Sequence, residues 1–151
     1  METAIDTTVH RKLAVDCFNA VWQILGKENA TADEINEAIL LAHSSTWHWK
    51  FAGNELHQQR GEWIISRVYA HFGFGEMALY HAKRCLELTE KHGFKDFDLG
   101  YAYEAMARAY MVLKNADAGK PYYEKAIAAG ELIEDAEDKS WFSKDMATIS
   151  F

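Results

Sequence analysis

The sequence predicts an all-α fold, a single domain of about seven helices stacked as antiparallel hairpins. Three observations predict it. Apolar residues recur at three- and four-residue spacing along successive segments of the 151-residue chain, the period of a helix that buries one face. One proline and 9 glycines leave few breakers, and Ala, Glu, Leu and Lys outweigh β-branched clusters. Two stretches also copy each other. Laying Glu62 to Glu90 over Tyr103 to Glu131 puts Arg67 on Arg108, Tyr69 on Tyr110 and Cys85 on Ala126, a shift of 41 residues.

The first helix is expected from about Thr8 to Leu25, with Leu13, Cys17 and Val21 on one face, and stops near Gly26. Thr31 with Glu34 three residues on forms a capping box, each side chain satisfying a backbone amide of the other. A second helix therefore starts there and ends near Gly53. The third, about Asn54 to Phe72, closes at Gly73-Phe74-Gly75, and the fourth, Glu76 to Lys91, stops at His92-Gly93. Asp96 or Asp98 is the expected cap of the fifth, which runs to about Leu113. The sixth is expected from Asp117, which places Pro121 in a first turn where its missing amide hydrogen has no helical partner to lose. Glu134 to Asp138 break the chain, and a last helix, about Lys139 to Ile149, carries Phe142, Met146 and Ile149 on one face. Short turns make neighbours antiparallel, giving hairpins at about 8–53, 54–92 and 97–134 with a cap at 139–149.

Composition narrows the function classes. At 49% hydrophobic and 13% aromatic the chain can bury one sizeable core. Its formal charge of −7 is spread over both halves and repels nucleic acid and anionic lipid. Cys17 and Cys85 lie on apolar stripes as reduced thiols and make no disulfide framework. Met1 to Val9 lacks the basic start and apolar run of a signal peptide, and no stretch approaches the roughly 18 apolar residues of a membrane span. A cytoplasmic protein with no nucleic-acid or membrane partner is expected.

The aligned hairpins resemble the tetratricopeptide repeat through Ile65-Ser66, Tyr69, Ala78, Ala82 and Cys85 in the first copy. The second copy offers Tyr103, Met106-Ala107, Tyr110, Gly119, Tyr123 and Ala126. Small residues at Ser66, Ala78, Ala107 and Gly119 let the two helices of a hairpin approach closely. The period of 41 exceeds the family's roughly 34 by about two helical turns, and Glu90 and Glu131 stand where a proline usually closes the repeat. Longer helices follow, as in extended tetratricopeptide-like arrays. The resemblance covers about half the chain, its central and C-terminal parts.

That resemblance implies a superhelical stack acting as a non-catalytic scaffold or adaptor for a protein or peptide partner. The first helix of each hairpin would line a concave groove, which selects Arg60, Trp63, Arg67 and His71 on the third helix and Tyr101, Glu104, Arg108 and Met111 on the fifth. Arginine binds carboxylates through two parallel hydrogen bonds, so Arg60, Arg67 and Arg108 suit an acidic partner, with Trp63 and Tyr101 as flat anchors. The competing use of the same residues is internal. Glu104 would pair with Arg108 at i+4 and with Arg67 across the hairpins, fixing the stack without a ligand.

Seven histidines, with His43, His48, His57, His71 and His81 in the central third, raise a metal-binding or enzymatic alternative. There is no HExxH and no CxxC, so such a site must be assembled across helices from His43 or His48, His81 and Glu104. Against it stands His81 as a buried histidine bonded to a tyrosine or carboxylate. No cofactor is implied, and Ser44 and Ser45 belong to neither GxSxG nor SxxK. The aromatic run Ser44 to Phe51 either closes one end of the groove over a small ligand or fills core at a helix end. Trp141, Phe142, Met146, Ile149 and Phe151 form more apolar surface than a cap requires, which raises a homodimer through the C-terminal helix.

Overall fold

The computed structural model describes residues 4–151; residues 1–3, which begin the Met1 to Val9 segment, lie outside the described residues. It contains α1 (Thr7–Leu25), α2 (Ala32–Ala52), α3 (Glu55–His71), α4 (Gly75–His92), α5 (Asp96–Val112), α6 (Ala116–Glu131) and α7 (Ala136–Met146), with no strand among the described residues. Local chemistry sets most ends. The Asp6 carboxylate accepts the Thr8 amide at 2.6 Å to open α1, and the Thr31–Glu34 capping box opens α2. Asn54 accepts the amides of Leu56 and His57 to open α3, and Gly93 at φ +66° closes α4 in the left-handed conformation that glycine tolerates.

Four ends differ from expectation, one of them the close of α7 at Met146, short of Ile149. Neither Asp96 nor Asp98 caps α5: Lys95 precedes the helix without a side-chain bond. Asp96 sits at φ +57° with its carboxylate accepting the Glu134 amide at 3.0 Å, and Asp98 is held by Arg60. Asn115, not Asp117, caps α6 by accepting the Ala118 amide, so Pro121 lies in the second turn and deprives the Asp117 carbonyl of its helical partner. Asp135 caps α7 through the Asp138 amide at 2.9 Å, which starts that helix at Ala136 and not Lys139.

Helices α1 and α2, α3 and α4, and α5 and α6 pack as hairpins; α2 meets α3, α4 meets α5, and α7 closes the far end against α5 and α6. The middle of α5 is enclosed on all sides, every residue from Gly100 to Ala109 being buried except the half-buried Tyr103. Small side chains permit this: Ala78 and Ala82 of α4 meet Ala105 and Ala109 of α5. Val21, Ile64 and Val68 anchor a second cluster between the first two hairpins, and Tyr101, Phe142, Met146 and Ile149 a third beneath α7. Trp63 packs against all three.

Phe142, Met146 and Ile149 are 2–5% exposed. The apolar stripe expected to serve self-association is thereby covered by the protein's own core, and only Trp141 and Phe151 of that set stay exposed. Cys85 is fully buried, Cys17 half-buried, and both are free thiols. No helix among the described residues is long and apolar enough to cross a membrane.

Candidate functional site

The first helices of the hairpins share one face of the molecule, where a cavity of about 630 Å³ opens. From α1 come Val15, Phe18 and Trp22, spaced so that they point the same way. Helix α3 adds Arg60, Trp63 and Ile64, and α5 adds Phe97, Asp98 and Tyr101. Asp138, Trp141 and Asp145 of α7 close one end, and Trp49 of α2 stacked on His57 at 4.1 Å closes the other. Aromatic rings make up much of the wall: the Trp22 and Trp63 rings lie 6.1 Å apart, and Trp63 meets Tyr101 edge-on at 5.2 Å. Trp22 is 39% and Trp141 57% exposed, large apolar surfaces that no core requires.

Beneath the cavity floor lies a closed ionic network. The fully buried Glu104 accepts from Arg108 Nε at 2.5 Å and Arg67 Nη1 at 3.1 Å on one oxygen, and from the Trp63 indole at 3.3 Å on the other. Arg108 also donates to the Asp145 carbonyl at 3.0 Å and to Thr148 Oγ1 at 2.8 Å, and Arg67 to the Asp145 carboxylate at 3.4 Å. The Tyr101 hydroxyl donates to Asp145 at 2.6 Å, and burial with that carboxylate pushes the phenol far above its ordinary value. α3, α5 and α7 are therefore tied through polar bonds as well as packing.

The six expected groove residues thus divide. Arg60, Trp63 and Tyr101 line the cavity, while Arg67, Glu104 and Arg108 do not. Of the three arginines expected to greet a carboxylate, two are bonded internally: Arg108 of the enclosed α5 and Arg67 of α3 both pair with the fully buried Glu104, whose charge must be paired to be buried at all. Arg60 remains at the surface, its Nε and Nη2 on the Asp98 carboxylate at 2.8 and 3.2 Å. His71 and Met111 stand outside the cavity lining.

Of the residues of the metal or enzymatic alternative, His43 and His81 come together, and His48 and Glu104 do not join them. His81 Nδ1 bonds Glu62 at 2.6 Å, and Arg84 Nε donates to the other Glu62 oxygen at 2.9 Å. Burial alone would raise the Glu62 carboxyl; the His81 and Arg84 hydrogen bonds outweigh it and hold it below its ordinary value. His43 bonds the Tyr69 hydroxyl at 3.1 Å with its ring against His81 at 5.4 Å, and burial lowers its basicity. His48 faces elsewhere, sharing a 2.8 Å Nδ1 to Nδ1 hydrogen bond with His10, and Glu104 sits among arginines. Among the described residues no three His, Cys, Asp or Glu side chains are grouped to hold a metal ion.

Several lining residues carry signals in the sequence. Phe18 and Trp22 lie four apart: Phe18 shares the Ala14–Val21 face and packs on its core, and Trp22 stands at the edge of that face, where a helix buried on one side has no use for an indole. Glu62 sits one turn from the buried Ile65 and Ser66, and a carboxylate on a buried face needs partners. The contributions of Asp138 and Asp145 depend on how α7 crosses the groove, which no local pattern encodes. The aromatic run divides its roles: Ser45 bonds the Ala14 carbonyl at 2.7 Å, Trp49 lines the cavity, and Trp47 and Phe51 stay half exposed around His10. Comparison with known proteins finds no matching family model, curated protein or solved structure.

Proposed function

We propose that the protein is a non-catalytic, tetratricopeptide-like binding module that holds a segment of a partner protein in the aromatic groove between α1, α3, α5 and α7. The observation that carries this reading is the contrast between the groove's two layers. Its floor is closed by mutual ion pairs, while Trp22 and Trp141 remain 39% and 57% exposed at its rim. Exposed tryptophan beside a concavity is the usual composition of a binding hot spot. A volume of about 630 Å³ falls within the range that accommodates one ligand or a few side chains. The free thiols of Cys17 and Cys85 suit work in the cytoplasm.

Selection of a displayed random-peptide library against the protein tests this reading. Peptides enriched on the wild type should bind about tenfold more weakly to Trp22→Ala and to Trp141→Ala, with thermal melts nearly unchanged because both rings are exposed. No enrichment, or binding indifferent to both substitutions, would remove the proposal.

A further inference from the structure

We infer that the side chain the groove takes from its partner is a cation, a lysine or arginine, seated against Trp22 and Trp63 with Asp138 as its counter-charge. The inference rests on the binding-module reading above and adds the sign and chemistry of the anchor.

Charge decides the sign. The charged residues lining the cavity are Asp98, Asp138 and Asp145 against Arg60. Arg60 is satisfied by Asp98, and Asp145 accepts from Tyr101 and Arg67. Asp138 is half-buried at the cavity wall, and its carboxylate has no ion-pair partner among the described residues. His57, also at this wall, is made less basic by burial and then by Arg11 and Arg60. A carboxylate entering here would meet unpaired Asp138 and the negative faces of the rings. An ammonium or guanidinium would meet both favourably, tryptophan being the strongest aromatic partner for a cation.

Two of the cavity's tryptophans already carry a cation from the protein itself. Arg11 lies over Trp49 with its guanidinium carbon 5.5 Å from the ring centre, and Lys144 Nζ lies 4.7 Å from that of Trp141. Trp22 and Trp63 carry no such cation among the described residues, and they face the cavity side by side. A partner's basic side chain completes that arrangement.

The five tryptophans supply the test, because Trp22, Trp49, Trp63 and Trp141 line the cavity and Trp47 does not. Indole N–H resonances of the full chain would be followed while adding Nα-acetyl-lysine methylamide, its norleucine counterpart, which has a similar aliphatic chain without the charge, or the glutamate counterpart. The expected result is movement of the cavity indoles with a fixed Trp47, and affinity for the lysine amide about fivefold or more above norleucine. Asp138→Asn should lower lysine affinity about threefold, an effect of one partly exposed charge, and leave norleucine unchanged. Equal binding of lysine and norleucine overturns the cation while leaving the module intact. Preference for glutamate reverses the sign, and silence with all three amides ends the inference. Failure of the peptide selection is the separate result that ends the module itself.

Discussion

Deleting the carboxylate of Glu104 would leave the Arg108 guanidinium buried without its closest partner and cut Arg67 and Trp63 loose from the same centre. An uncompensated buried charge is strongly destabilising, so Glu104→Ala should lower the unfolding free energy by about 3–5 kcal/mol, read from the urea midpoint. Arg60→Ala breaks an ion pair whose arginine is 54% exposed and should change the same midpoint by only about 0–1 kcal/mol. Comparable losses at the two sites would contradict this division between floor and rim. His43 gives the pH dependence. Burial, then the neighbouring His81, lowers its pKa below the ordinary 6.5, against the opposing influence of Glu62; Tyr69 and, through Glu62, Arg84 complete the surroundings. The folded state then binds a proton less readily than the unfolded chain. Its stabilising effect is complete above that ordinary value and declines as pH falls through 6.5 toward the folded value. The melting temperature should therefore drop between pH 7 and pH 5, and His43→Gln should flatten part of that slope. Glu62, shifted downward from 4.5, weakens the fold only at still lower pH.

Helix ends are legible at Thr31 with Glu34 and at Gly93, where the capping partner is near in sequence, though the equally local Asp135 cap of α7 is not singled out among its acidic neighbours. Ends are not legible where the partner is remote: Asp96 is held by the amide of Glu134, and no local rule anticipates that. At α6 both Asn115 and Asp117 are capping types, and the chain uses the earlier one. The resulting second-turn Pro121 makes a prediction. Because Pro121 is exposed and breaks the helical bond to Asp117, Pro121→Ala should stabilise the protein by about 1–3 kcal/mol in chemical denaturation. At Gly130 the sign reverses. Alanine is ordinarily the better helix former by about 0.5–1 kcal/mol, yet a Cβ there would stand 2.7 Å from Phe142 Cδ1, and a Cβ at Gly100 would stand 3.0 Å from the same ring. Phe142 is wedged between α5 and α6 with no free side, so Gly130→Ala should destabilise by about 1–3 kcal/mol and lower the melting temperature.

Across the whole molecule, the three core clusters meet at one side chain, Trp63, which also forms the groove wall and donates to Glu104. Trp63→Ala should cost about 3–5 kcal/mol and separate the fluorescence and far-ultraviolet unfolding transitions, as the hairpins lose their common contact. Trp47→Ala, at a half-exposed ring away from the cavity, should stay within about 1 kcal/mol. The hairpin order was readable from helical period and turn chemistry, and Arg60, Trp63 and Tyr101 were readable as groove residues from their shared face. For Arg67 and Arg108 the spacing offers both a groove face and internal pairing with Glu104, and the structure has the pairing; spacing reports a face and not what lies over it. Burial depth has one more consequence, for time rather than for energy. Cys85 lies fully covered on α4, which packs on both α3 and α5, and burial raises its thiol pKa. An alkylating reagent reaches that sulfur only when the central hairpin parts from its neighbours. Cys17, half-buried on α1, is reached first. The protein thus carries two clocks of its own breathing, one set to its edge and one to its centre.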